Sequence, residues 1–204
     1  MQNDEYQLFY IHGFNSYKGS STPKKLHQVL GLKIEELCYY SHWCFDDIMA
    51  DLKRQFSMLY RGQKAIMIGT SMGGFFADQL ADLPGIHALV LINPVVDPVH
   101  VLSNKTFLGP QENFITHEIH SFTLEIAATY QTRRDMRSVP VLRRLLLSAH
   151  DELLDASVAL EWWQSVARVI NIEGGHRLTD YGSVCRVLAG LIPESEDINE
   201  RYSG

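Results

Sequence analysis

With 204 residues, 46% of them hydrophobic and 21% charged, the chain is sized for one domain with a full core and is composed like a globular protein. A net charge of −6 argues against nucleic acid or an anionic membrane as the main partner. No stretch reaches the roughly 18 apolar residues of a membrane span, and MQNDEYQLFY lacks a signal-peptide core. Cys38, Cys44 and Cys185 form no CxxC pair, so the expectation is a cytoplasmic protein with reduced thiols. The pairs Arg133-Arg134 and Arg143-Arg144 are too short for a phosphate track and read as solvated surface.

Taken in chain order, QLFYIHGF is a strand ending at His12-Gly13, and KIEELCYY, residues 33–40, is a weaker second strand. From Asp46, apolar Ile48, Leu52, Phe56 and Leu59 recur at helical spacing as far as Gly62, a fitting C-terminal cap. KAIMIG is the third strand, and Phe76, Leu80 and Leu83 mark a helix stopped by Pro84-Gly85. HALVLINPVV, RRLLLSAHD and ARVINIEGG follow as strands four to six. Val158, Trp162 and Val166 mark one further helix, and Val184, Leu188 and Leu191 the last, before Pro193. Strand and helix alternating with near-continuous apolar runs predict an α/β domain: a parallel sheet with helices on both faces.

Between Pro94 and Pro140 no strand is expected. The interval is too long for a bare loop, so residues 97–140 read as a lid-like insertion, mostly helical, covering a site. The domain spans 1–193, and ESEDINERYSG, residues 194–204, is a charged tail.

Gly69-Thr70-Ser71-Met72-Gly73 fits G-x-S-x-G, in which a strand turns sharply into a helix and lifts a serine hydroxyl above the sheet. The glycines let the turn close without Cβ clashes, and the helix N-terminus favours developing negative charge. A serine nucleophile needs a base. His176, after the sixth strand in NIEGGHRLTD, lies in a loop at the carboxyl end of a parallel strand, where ligands bind in open α/β sheets. His27, His42, His87 and His100 lack that placement.

The imidazole in turn needs a carboxylate, and LLLSAHDELLD offers Asp151, Glu152 and Asp155. Asp151 is the first past the strand, whereas Asp155 suits the N-cap of the next helix. An oxyanion needs two backbone donors: the N–H of Met72, after the nucleophile, and that of Phe14 in HGFNS, with His12 shaping that loop rather than acting as a base.

These residues carry a resemblance. YIHGFNS, IGTSMGG, NPVV, HDELLD and EGGHRL resemble the α/β-hydrolase superfamily and, more narrowly, the small bacterial YqiA-like esterase family, over about residues 7–192. The resemblance implies a six-stranded sheet of order 2-1-3-4-5-6 and serine-dependent ester hydrolysis with Ser71, Asp151 and His176 as triad. The expected function is a serine esterase for small to medium acyl esters, with no cofactor and no metal. An acyl-CoA thioesterase, or a non-catalytic ligand-binding protein on a hydrolase fold, is the alternative. GTSMGG lacks the Gly-Lys-Ser/Thr of a phosphate loop, and His117, Glu118 and His120 lack the H-E-x-x-H spacing of a zinc site. Trp162 and Trp163 are adjacent helix positions and are expected to divide between surface and core.

Overall fold

The computed structural model of the chain describes residues 5–192. In chain order the first elements are β1 (Tyr6–Ile11), α1 (Ser21–Leu30), β2 (Ile34–Leu37), α2 (Phe45–Leu59), β3 (Lys64–Thr70), α3 (Met72–Gln79) and β4 (Ile86–Ile92). After them come α4 (Pro98–Leu102), β5 (Gly109–Glu112), β6 (Ile119–Phe122), α5 (Leu124–Thr129), β7 (Leu142–Ser148), α6 (Ala156–Trp163), β8 (Arg168–Ile172) and α7 (Tyr181–Ala189).

Six strands form one sheet in the order β2-β1-β3-β4-β7-β8, every neighbouring pair parallel. Setting aside β5 and β6, which pair with each other, this is the order 2-1-3-4-5-6 that the resemblance implies. The register places Ile11 beside Gly69, Thr70 beside Ile92, Ile92 beside Leu146, and Ser148 beside Ile172. The carboxyl ends of the strands therefore gather along one edge, and the loops leaving them share a neighbourhood.

Strands buried on both faces alternate between two apolar layers. Ala65 and Met67 of β3, with Leu89, Leu91, Leu145 and Leu147, face Ile48, Leu52 and Phe56 of α2, Phe76 of α3 and Trp163 of α6. Ile66 and Ile68 of the same strand, with Val90, Ile92 and Leu146, face Leu26 of α1 and Val184 and Leu188 of α7. Each fully buried side chain of this kind contributes about 1.5–3 kcal/mol.

Several elements depart from expectation. The sequence pattern marks no helix between the first two strands, and α1 lies there. Its apolar face is nearly one residue, Leu26, helped by Thr22 and Pro23, so no hydrophobic period announces it. Helix α2 ends at Leu59 rather than at Gly62, with Tyr60 N–H donating to Phe56 O at 2.8 Å. Arg143 is not solvated: it is buried, and its Nε donates to Asp78 at 3.1 Å. Its other nitrogens donate to Val139 O and Met136 O, because β7 is a central strand whose layer-facing position it occupies. Arg133 and Arg134 do sit at the surface, paired with Asp97 and Asp82.

The 97–140 interval is neither strand-free nor mostly helical. It holds the short helices α4 and α5 and, between them, the antiparallel hairpin β5–β6, which pairs Gly109 with Phe122 and Glu112 with Ile119. Of its eight strand residues only Phe122 is buried, so the period-2 apolar alternation that betrays a strand is missing. Leu102, Phe122, Ala127 and Tyr130 anchor the interval in the core. The charged stretch 194–204 lies outside the described residues. Cys38 and Cys185 are buried, Cys44 is exposed, and all three are free. Among the described residues no helix is long and apolar enough to cross a membrane.

Candidate active site

Ser71 is the single residue between β3 and α3, and it adopts φ 56°, ψ −122°, a conformation costing on the order of 1–3 kcal/mol for a residue with a Cβ. The surroundings hold it there. Ser71 N–H donates to Ile92 O at 2.9 Å, and Ser71 O accepts from Gly74 N–H at 2.9 Å. The turn is compact because its glycines let backbone meet backbone. A Cβ on Gly69 would fall 2.2 Å from Gly73 O, and one on Gly73 would fall 2.1 Å from Ile11 O. These are the two positions where the G-x-S-x-G spacing is a steric requirement.

His176 leaves β8 through Gly174, which has φ 104°. Its Nε2 lies 3.0 Å from Ser71 Oγ, and its Nδ1 lies 2.9 Å from Asp151 Oδ2 and 3.1 Å from Oδ1. Three segments, 105 and 25 residues apart in sequence, thus meet at the sheet edge. The Asp151 side chain is 3% exposed and that of His176 17%. Burial pushes the Asp151 carboxyl up. The bonds it accepts from His176 and from the Leu154 and Leu153 N–H groups outweigh that and hold it below its ordinary value. An ionised carboxylate only accepts. Nδ1 therefore carries the imidazole proton, leaving Nε2 to accept from the Ser71 hydroxyl.

The rival carboxylates do other work. Asp155 accepts from Ser157 N–H at 2.9 Å as the N-cap of α6. Glu152 Oε2 accepts from the His176 backbone N–H at 2.8 Å, which keeps its carboxyl below the ordinary value. Two further residues hold the histidine loop and were not singled out in the sequence. Asn93, at the end of β4 with φ 42°, accepts from Ser148 N–H at 2.9 Å and donates to Gly175 O and His176 O at 3.2 and 3.3 Å. Ser148 Oγ donates to Gly174 O. Asn at a strand end before Pro94 was the available signal, since Asn tolerates positive φ better than most residues.

Met72 opens α3, so its N–H has no partner within the helix and sits at the positive end of the helix dipole. Gly13 lies against Ser71: a Cβ there would be 3.5 Å from Ser71 Cβ. Phe14 follows it. His12 shapes this loop. It is buried, stacks on Tyr39 at 4.5 Å, and its Nε2 accepts from Tyr39 N–H at 3.3 Å. Its Nδ1 then carries the proton and donates to Gly13 O at 2.8 Å. Burial pushes its pKa down to about 4, against a smaller opposing effect of the Gly13 carbonyl.

Other singled-out residues lie apart from this constellation. His117 pairs with Glu112 at 2.8 Å, and the His120 ring packs against that of His42 at 4.6 Å, tilted by 35°. His87 packs edge-on against Tyr6. Among the described residues no group of three or more His, Cys, Asp or Glu is placed to hold a metal. Trp163 is in the core, while the Trp162 ring receives the Arg137 guanidinium at 3.9 Å.

Solved structures share this architecture. Est1E from Butyrivibrio proteoclasticus superposes with a TM-score of 0.70 at 14% identity, over 92% of this chain and 88% of that one. The esterase domain of a Rhodothermus marinus protein gives 0.66 at 18% identity over 91% and 85%. A monoacylglycerol lipase from Paleococcus ferrophilus gives 0.65 at 14% over 91% and 94%. At such identities the likeness is one of fold, and that fold is the α/β-hydrolase fold. The sequence pattern that matches residues 7–189 is more specific, and by it the chain belongs to the Uncharacterised protein family (UPF0227).

Proposed function

We propose that the chain is a serine hydrolase that cleaves carboxylic esters of small to medium acyl groups, with Ser71, His176 and Asp151 as its triad. The observation that carries this reading is the continuous hydrogen-bonded line from Asp151 through His176 to Ser71, at 2.9 and 3.0 Å. Esterase and lipase activities named for proteins of the same fold agree with it.

In the reaction Ser71 Oγ attacks the ester carbonyl carbon while its proton passes to His176 Nε2. The carbonyl electron pair moves onto oxygen, and the N–H groups of Met72 and Phe14 hold that oxyanion. Asp151 steadies the imidazolium without taking its proton. When the carbonyl re-forms, the bond to the alkoxy group breaks and the departing alcohol takes the proton from Nε2. A water then gives a proton to Nε2, attacks the acyl-enzyme and frees the acid, and Ser71 recovers its proton from the histidine. Residues 97–140 form part of the same domain and cover the site.

A panel of p-nitrophenyl esters and acyl-CoA thioesters of graded chain length tests the assignment. Turnover of short and medium oxygen esters, abolished in Ser71→Ala, is the expected result. Turnover confined to acyl-CoA, or turnover that survives in Ser71→Ala, contradicts it.

A further inference from the structure

We infer that the hairpin β5–β6 is a fixed buttress of the loop that offers the Phe14 N–H, and that Gln111 and Asn113 are positioning residues for that donor; this rests on the reading of Ser71 as the nucleophile. A cover that only admits or excludes substrate has no need to bond the catalytic loops. Here three hydrogen bonds run from the hairpin to residues 15 and 16. Asn15 Nδ2 donates to Gln111 Oε1 at 3.0 Å, Phe114 N–H donates to Asn15 O at 2.7 Å, and Asn113 Nδ2 donates to Ser16 O at 3.0 Å. The Phe14 ring is gripped as well, edge-on to Phe107 at 5.4 Å and to Phe122 at 5.2 Å. Both of those rings come from the same 97–140 interval.

The restraint falls where it matters. Asn15 has φ 54°, an uncommon conformation that must be held from outside, and it directly follows Phe14. The main body fixes only one side of the loop, through Ser41 Oγ, which accepts from Asn15 N–H at 2.8 Å, and through His12 at Gly13 O. Leaving the other side free would return about 1–2 kcal/mol of backbone entropy per residue to the loop and blur the position of its donor. Electrostatic stabilisation requires the donor in place before the charge develops. The hairpin is suited to fixity rather than swinging, since Asn113 and Phe122 are 4% and 1% exposed. Asn113 also closes the hairpin turn, its Oδ1 accepting from the N–H groups of Ile115 and Thr116 at 2.9 and 3.0 Å.

The variants separate the cross-links from the hairpin itself. Asn113→Asp keeps the turn's acceptor and loses the donor to Ser16. Gln111→Ala loses the acceptor for Asn15 together with the bonds that Gln111 Nε2 donates to Thr106 O and Leu108 O at 3.2 and 3.4 Å. Each is assayed on a p-nitrophenyl ester, with rates expressed per Ser71 titrated by an irreversible phosphonate, so that misfolded molecules do not count. Gln111→Ala and Asn113→Asp should lower kcat about 10- to 100-fold, the scale of a donor misplaced by up to about 1 Å, with KM little changed. Inhibition by an alkylboronic acid, whose tetrahedral adduct puts an oxygen in the same hole, should weaken in parallel. Ile119→Ser, on the exposed face of β6, should match the parent. Unchanged kcat per titrated site in both damaging variants overturns the buttress, as does an equal loss in Ile119→Ser. Turnover that survives in Ser71→Ala instead defeats the reading of the site on which the buttress rests.

Discussion

Replacing Asp151 by asparagine tests the proposed acid with almost no change of shape. Asp151 Oδ1 accepts from the N–H groups of Leu153 and Leu154 at 2.9 and 2.8 Å, and an asparagine oxygen can keep both bonds. Its amide group would then face His176 Nδ1, which must become an acceptor. The imidazole proton moves to Nε2, and the Ser71 hydroxyl loses its base. The expected cost is on the order of 10⁴ in kcat, which corresponds to about 5 kcal/mol of transition-state stabilisation. The fold should survive, because the side chain keeps its volume and its turn. Asp155→Ala is the control: it removes the cap bonds to Ser157 N and Oγ, at 2.9 and 2.7 Å, and should lower the melting temperature while leaving turnover per folded molecule unchanged. Both variants are measured with one activated ester and by thermal melts. Abolished turnover in Asp155→Ala together with retained turnover in Asp151→Asn would refute the assignment of the acid.

Two other predictions concern stability. His12 is held neutral, with a pKa near 4 against an ordinary 6.5, so its contribution is complete above about pH 6.5 and is lost as pH falls towards 4. The size is about 3 kcal/mol at most; urea unfolding between pH 7 and 4 should show this slope in the parent and a flatter one in His12→Gln. Asp78→Ala leaves the buried Arg143 guanidinium without its carboxylate and should cost about 3–5 kcal/mol, read from the urea midpoint; a shift below about 1 kcal/mol, the scale of an exposed pair, would show that the pair carries little.

The inner strands β1, β3, β4 and β7 were legible because they are buried on both faces and so write near-continuous apolar runs, as in AIMIG or ALVLI, whereas the edge strands β2 and β8 are only partly buried and leave a weaker pattern. Once the sheet is parallel, its carboxyl ends share an edge, and Ser71, Asp151 and His176 follow as residues just past three of those ends. What the sequence hides are bonds between distant polar residues. Nothing near Arg143 announces Asp78, 65 residues away, and Asn93, Gln111 and Asn113 look like ordinary turn residues until the loops they bridge are folded. The hairpin β5–β6 escaped for a related reason. It is held by its bonds to residues 15 and 16 and by one buried ring, Phe122, rather than by an apolar face of its own.

The central claim, that Ser71 is an activated nucleophile, is tested most directly by a fluorophosphonate probe followed by intact-mass and peptide analysis. The account predicts one adduct per chain, located on Ser71, formed rapidly in the parent, slowed severely in Asp151→Asn and absent in Ser71→Ala. A parent that takes no label, or a label that persists in Ser71→Ala, would contradict it.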